Sequence, residues 1–152
     1  MKVEAQIEIA APAETVFEIY QDVEHWNTWD PDTKSSSLDG PFQVGTVGRL
    51  VPTKGREVPM RLVEVTPNRS FTVQCDVPLF RMRFIHELTS IPGGTLVTQR
   101  MLTAGALDFL IGRILAKQVR EGFPKTLASL KRLSESKAPG GESAASQETH
   151  SK

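Results

Sequence analysis

Between Leu107 and Leu133, large apolar residues recur at three- and four-residue intervals: Leu107, Leu110, Ile111, Ile114, Leu115, Val119, Phe123, Leu127, Leu130 and Leu133. That period draws a single apolar stripe along a helix of many turns. Such a helix is unstable alone and must lay its stripe on a surface built by the rest of the chain. Pro124 removes one backbone donor inside the pattern, and Gly122 stands close by. A kink or break is therefore expected there, dividing the helix into two segments.

The complementary surface is legible upstream. Val3, Ala5, Ile7 and Ile9 alternate with Lys2, Glu4, Gln6 and Glu8, the period of a strand with one wet face. Ala11-Pro12-Ala13-Glu14 ends the alternation, and Val16, Phe17, Ile19 and Tyr20 follow at helical spacing. In Asp22–Pro31 the indoles of Trp26 and Trp29 fall on one side of a short helical turn that Asp30-Pro31 closes. From Lys34 to Thr103 strands alternate with turn residues, among them Asp39-Gly40-Pro41, Lys54-Gly55, Pro67-Asn68 and Pro92-Gly93-Gly94. Connections this short favour an antiparallel meander. Phe71, Val73, Cys75 and Val77 share one face of a strand, answered by Phe80, Met82, Phe84, His86 and Leu88 on the next. Arg81, Arg83 and Glu87 take the opposite face, so the sheet is covered on one side only.

A chain of 152 residues is long enough for one domain with a real core. The 18 basic and 18 acidic residues balance, so no overall field draws the protein to nucleic acid. The lone Cys75 has no partner for a disulfide or a metal cluster, and no stretch approaches the roughly 20 apolar residues of a membrane span. The start Met-Lys-Val-Glu-Ala-Gln has no signal-peptide pattern. A cytoplasmic protein without integral membrane association is expected. From Ser134 onward the sequence is rich in Ser, Ala, Gly, Glu and Lys, and residues 134–152 are expected to be a disordered tail after a domain at 1–133.

The order of these elements and several local motifs resemble the START-like (SRPBCC, helix-grip) superfamily. Ile7 to Phe17 (IEIAAPAETVF) is similar to its opening strand, proline and Val-Phe pair. Trp26 and Trp29-Asp30-Pro31 resemble its second helix, Val63 to Arg69 its central hairpin, and Gly93 to Thr98 its last hairpin. Within the superfamily the chain looks most like the polyketide cyclase/dehydrase and lipid-transport branch. The resemblance implies an α+β helix-grip fold: a curved antiparallel sheet wrapped around a long C-terminal helix, with two short helices after the first strand and an apolar cavity between sheet and helix. Its motifs are structural and name no ligand.

Gly-x-Gly-x-x-Gly, a Walker loop, His-Glu-x-x-His, paired Cys-x-x-Cys and Gly-x-Ser-x-Gly are all missing from the sequence, so no metal or nucleotide cofactor is expected. Alternation turns His86 toward the apolar face, where it either orients a ligand carbonyl and moves protons or is a core histidine bonded to its neighbours. The pattern around Gln99 and Arg100 does not decide which of the two points inward. An inward Arg100 would hold an anionic group, whereas an outward one is a solvated arginine. Trp26, Trp29, Phe71, Val73, Cys75, Met82, Phe84, His86, Met101, Leu107, Leu110, Ile111 and Ile114 are the candidates to line the cavity, or else to fill the core. The expected function is binding of a small hydrophobic or lipid-like molecule. The alternatives are a cyclase or dehydratase using His86 and Arg100 as candidate catalytic residues, and a protein-interaction module. The sequence leaves the oligomeric state open.

Overall fold

The computed structural model describes residues 1–138. Strand β1 (Lys2–Ile9) leads into helix α1 (Ala13–Gln21) and a 3₁₀ helix at Val23–Thr28. Six strands follow: β2 (Thr33–Leu38), β3 (Val47–Pro52), β4 (Val58–Thr66), β5 (Ser70–Val77), β6 (Phe80–Ile91) and β7 (Gly94–Ala104). A π-helical turn at Asp108–Gly112 then enters helix α2 (Arg113–Lys137).

The seven strands form one antiparallel sheet in the order β1-β7-β6-β5-β4-β3-β2. Every consecutive pair from β2 to β7 is a direct neighbour, as short turns dictate, while the two helical segments between β1 and β2 let β1 reach the far edge beside β7. The register slips between Leu62 and Glu64, where an extra residue bends β4 and helps curl the sheet. The result is the curved sheet and long C-terminal helix that the resemblance implies.

The start of α1 follows from its sequence. Pro12 is extended (φ −65°, ψ 153°), and its carbonyl accepts from the amides of Thr15 and Val16. One face of α1 buries Val16, Phe17, Ile19 and Tyr20 over the sheet. Trp26 is buried beside them and donates its indole N–H to the Tyr20 carbonyl at 2.8 Å, while Trp29 is only half-buried.

Helix α2 lies along β1, fastened by the Glu135 carboxylate accepting from the Ala10 amide (2.8 Å) and by the Lys131 ammonium donating to the Glu8 carbonyl (2.7 Å). The break expected near Pro124 does not occur, for α2 runs through it without interruption. Pro124 is exposed, so the carbonyl it leaves without a donor faces water rather than the core. Gly122 is a packing residue instead: a Cβ there would strike the Asp32 carboxylate. The absence of a side chain lets the Asp30–Asp32 segment approach the helix, where Thr126 donates to Asp30 at 3.0 Å. The irregular stretch precedes α2, at the π-helical turn. The tail boundary expected at residue 134 also lies too early. Helix α2 continues through Lys137, with Ser134 and Ala138 buried, because small residues still pack where the stripe of large ones has ended. Residues 139–152 of that expected tail lie outside the described residues.

Candidate ligand-binding site

The inner face of the sheet is set by register. Phe71 pairs with His86, Val73 with Phe84 and Cys75 with Met82 across β5 and β6. His86 pairs with Gln99 and Phe84 with Met101 across β6 and β7. All of these point the same way, toward α1 and α2, because side chains of directly paired residues share a face.

Under α1 this face is closed. The His86 imidazole lies flat on the Phe71 ring, with centroids 4.0 Å apart and planes 6° from parallel. Tyr20 meets both rings edge-on, at 5.0 Å from Phe71 and 5.1 Å from His86. Phe17 and Phe42 complete the cluster around Phe71. Two polar bonds are built into it. The Tyr20 hydroxyl donates to the Gln99 side-chain oxygen at 3.1 Å, and His86 Nδ1 donates to the Phe71 carbonyl at 3.3 Å. A carbonyl only accepts, so Nδ1 carries the proton of the neutral ring. Burial drives the imidazole pKa down to about 4, partly opposed by the Phe71 and Phe84 carbonyls. His86 is thus uncharged near neutrality and a poor base there. It is a core histidine bonded to a neighbouring strand.

Cys75 is buried with its pKa pushed up to about 12, first by burial and then by Asp76, which leaves it a small apolar filler rather than a nucleophile. Trp26, Phe71, Val73 and Met101 are buried as well.

Toward the N-terminal half of α2 the face opens. The core divides into a large cluster under α1 and a smaller one of Val3, Met101, Ala116 and Phe123. Phe84 packs against both clusters and still remains partly exposed, as does Met82 one pleat along. An inner residue of β6, third in a sheet of seven strands, would be sealed if a helix lay over it. Helix α2 lies over β1 instead, and Phe84, Leu115 and Val119 each pack against the smaller cluster while staying partly exposed. Leu107 and Ile111, both half-buried, stand at the end of β7 and the start of the helix.

The remaining candidates lie elsewhere. Leu110, in the π-helical turn, and Ile114, in the first turn of α2, are exposed to solvent and do not line the inner face. Trp29 borders a depression of about 500 Å³ between α1, the 3₁₀ helix and the C-terminal end of α2. Its wall carries Glu18, Asp22, His25 and Lys137, so an apolar molecule gains less there than against the inner face. His25 there pairs with Asp22 at 2.8 Å, which raises its pKa. Arg100 points outward: it opposes Glu4 on β1 and bonds Glu4 (2.8 Å) and Glu87 (2.9 Å) on the wet face. His86 and Arg100 therefore sit on opposite faces of the sheet and form no common site. Tyr20, which is not among the cavity candidates, joins the cluster around Phe71 from the apolar stripe of α1, and that place on the stripe is its signal in the sequence.

No group of three or more His, Cys, Asp or Glu side chains suited to a metal occurs among the described residues, and no helix there is long and apolar enough to cross a membrane.

A search of curated proteins finds no match. Among solved structures, the chain is similar to TTHA0849 from Thermus thermophilus, with TM-score 0.70 and 18% identity over 88% of this chain and 97% of that one. It is similar to Ara h 8.0201 with TM-score 0.72 and 12% identity, covering 90% and 98% of the two chains. It also resembles the di-domain ARO/CYC StfQ from the steffimycin biosynthetic pathway, with TM-score 0.70, 15% identity, and 88% of this chain against 50% of that one. Identities this low speak for shared fold alone. The family model described as polyketide cyclase / dehydrase and lipid transport matches residues 1–135, and the chain belongs to that family.

Proposed function

We propose that this protein binds a small hydrophobic molecule in the space between the inner face of β5–β7 and the N-terminal half of α2. The observation that carries this reading is the partial exposure of Phe84 and Met82 on the inner side of an internal strand, between two separately packed clusters. Such a space is lined by apolar and aromatic groups, and flexible methionine adapts it to bulky ligands. The family and fold fit this use and fit a cyclase-type activity. The residues favour binding. His86 is neutral and already engaged with Phe71, and Arg100 is committed to two carboxylates on the outer face, so the candidate catalytic pair of a cyclase or dehydratase is not assembled.

Native mass spectrometry of the protein purified gently from its own host tests the proposal. A stoichiometric apolar adduct, reduced in Phe84→Asp, is the expected result. A clean apo mass, together with no saturable uptake of an apolar fluorescent probe, would overturn it.

A further inference from the structure

Four large apolar side chains at one end of the molecule are turned to solvent: Leu79 (64% exposed), Phe109 (70%), Leu110 (54%) and Ile114 (58%). Leu79 is the second residue of the Pro78-Leu79 turn between β5 and β6, where its φ of 64° is one that glycine or asparagine ordinarily supplies. An apolar side chain held in a disfavoured backbone conformation and pointed at water is a combination that folding alone does not select. The turn is fixed against the start of the helix. The Leu107 amide donates to the Leu79 carbonyl at 3.0 Å, and Gly105 (φ 115°) allows the approach, since a Cβ there would strike that same carbonyl.

The surrounding charge is one-sided. Phe109 to Arg120 contains no acidic residue and three basic ones, Arg113, Lys117 and Arg120, in a chain whose total charge is zero. All three are exposed, and none has an ion-pair partner among the described residues. Helical spacing sets Arg113 and Lys117 between Phe109 and Ile114 on the outward sector. Asp108 accepts from Thr103 and Asp76 is paired with Arg81 at 2.8 Å, while the acid next along the helix, Glu121, is exposed and lies just beyond this stretch.

We infer that this end docks on the surface of an anionic lipid bilayer, with Leu79, Phe109, Leu110 and Ile114 entering the headgroup region while Arg113 and Lys117 pair with lipid phosphates. Apolar side chains interleaved with unpaired cations suit that interface, where an apolar protein partner would leave the cations unsatisfied. Docking is independent of whether the interior holds a ligand.

Sedimentation of the full chain with vesicles tests it, comparing phosphatidylcholine alone with an equimolar mixture with phosphatidylglycerol. Binding to the mixed vesicles is expected, weakened by salt and at least about fivefold weaker in Phe109→Ser/Ile114→Ser and in Arg113→Glu/Lys117→Glu. Each substituted side chain is exposed, and an unchanged thermal midpoint checks that each variant folds. The inference is overturned by no binding, by equal binding to both vesicle types, or by variants that bind like the parent. It is equally overturned if the apolar variant abolishes a dimer seen by analytical ultracentrifugation, since the surface would then belong to a second copy of the chain.

Discussion

His86 lies parallel to Phe71 at 4.0 Å and bonds the carbonyl of that same residue, so one core aromatic holds the imidazole through both its ring and its backbone. The arrangement suits a neutral ring. A charged one would have to shed its hydration in the core.

Acid should therefore unfold the protein through His86. Its ordinary value of 6.5 falls to about 4 in the fold, so between those values the unfolded chain binds the extra proton. Stability is full above pH 6.5 and declines as the pH drops toward 4, by roughly 3 kcal/mol from this group alone. Urea titrations at pH 7 and pH 4.5 measure the slope, and His86→Gln should flatten it. In NMR titration His25, raised by Asp22, should titrate above His86. A His86 midpoint near or above 6.5 would refute the neutral assignment.

Tyr20→Phe deletes one hydroxyl and leaves the buried Gln99 oxygen without its donor. A loss of about 1–2 kcal/mol in denaturant unfolding is expected. A loss of only a few tenths would mean that water reaches Gln99.

Cys75 should resist thiol reagents in the native protein and react on unfolding, because burial holds the thiol protonated at neutral pH. Rapid stoichiometric labelling without denaturant would contradict the packing of β5 against β6.

Arg100→Ala removes two ion pairs from the wet face and nothing from the inner one. Pairs on a solvated sheet face contribute little, so both stability and uptake of an apolar probe should stay close to those of the parent. A loss of uptake would mean that Arg100 acts on the interior after all.

These particulars show what a sequence of this kind makes legible. Alternation in β1, β5 and β6 and the helical stripe after Leu107 suffice for the strands, the long helix and the architecture. Alternation does not orient β7, because Leu96 and Leu102 lie on the same face as Arg100; pairing of Arg100 with Glu4 decides it. Periodicity gives the stripe on α2 without showing which part of it is covered, so Leu110 and Ile114 read as lining when they are exposed. Pro124 reads as a break only if its side of the helix is assumed to be buried. The closed and open parts of the inner face are likewise indistinguishable in sequence, since Phe71 and Phe84 are both phenylalanines alternating inward and differ only in what lies above them.

The most direct measurement is amide chemical-shift mapping during titration with an apolar probe. Saturable shifts centred on Met82, Phe84, Leu107, Ile111 and Leu115 are expected. Shifts confined to Trp29 and Leu133 beside the outer depression, or to the exposed tip at Phe109, would contradict an interior binding site.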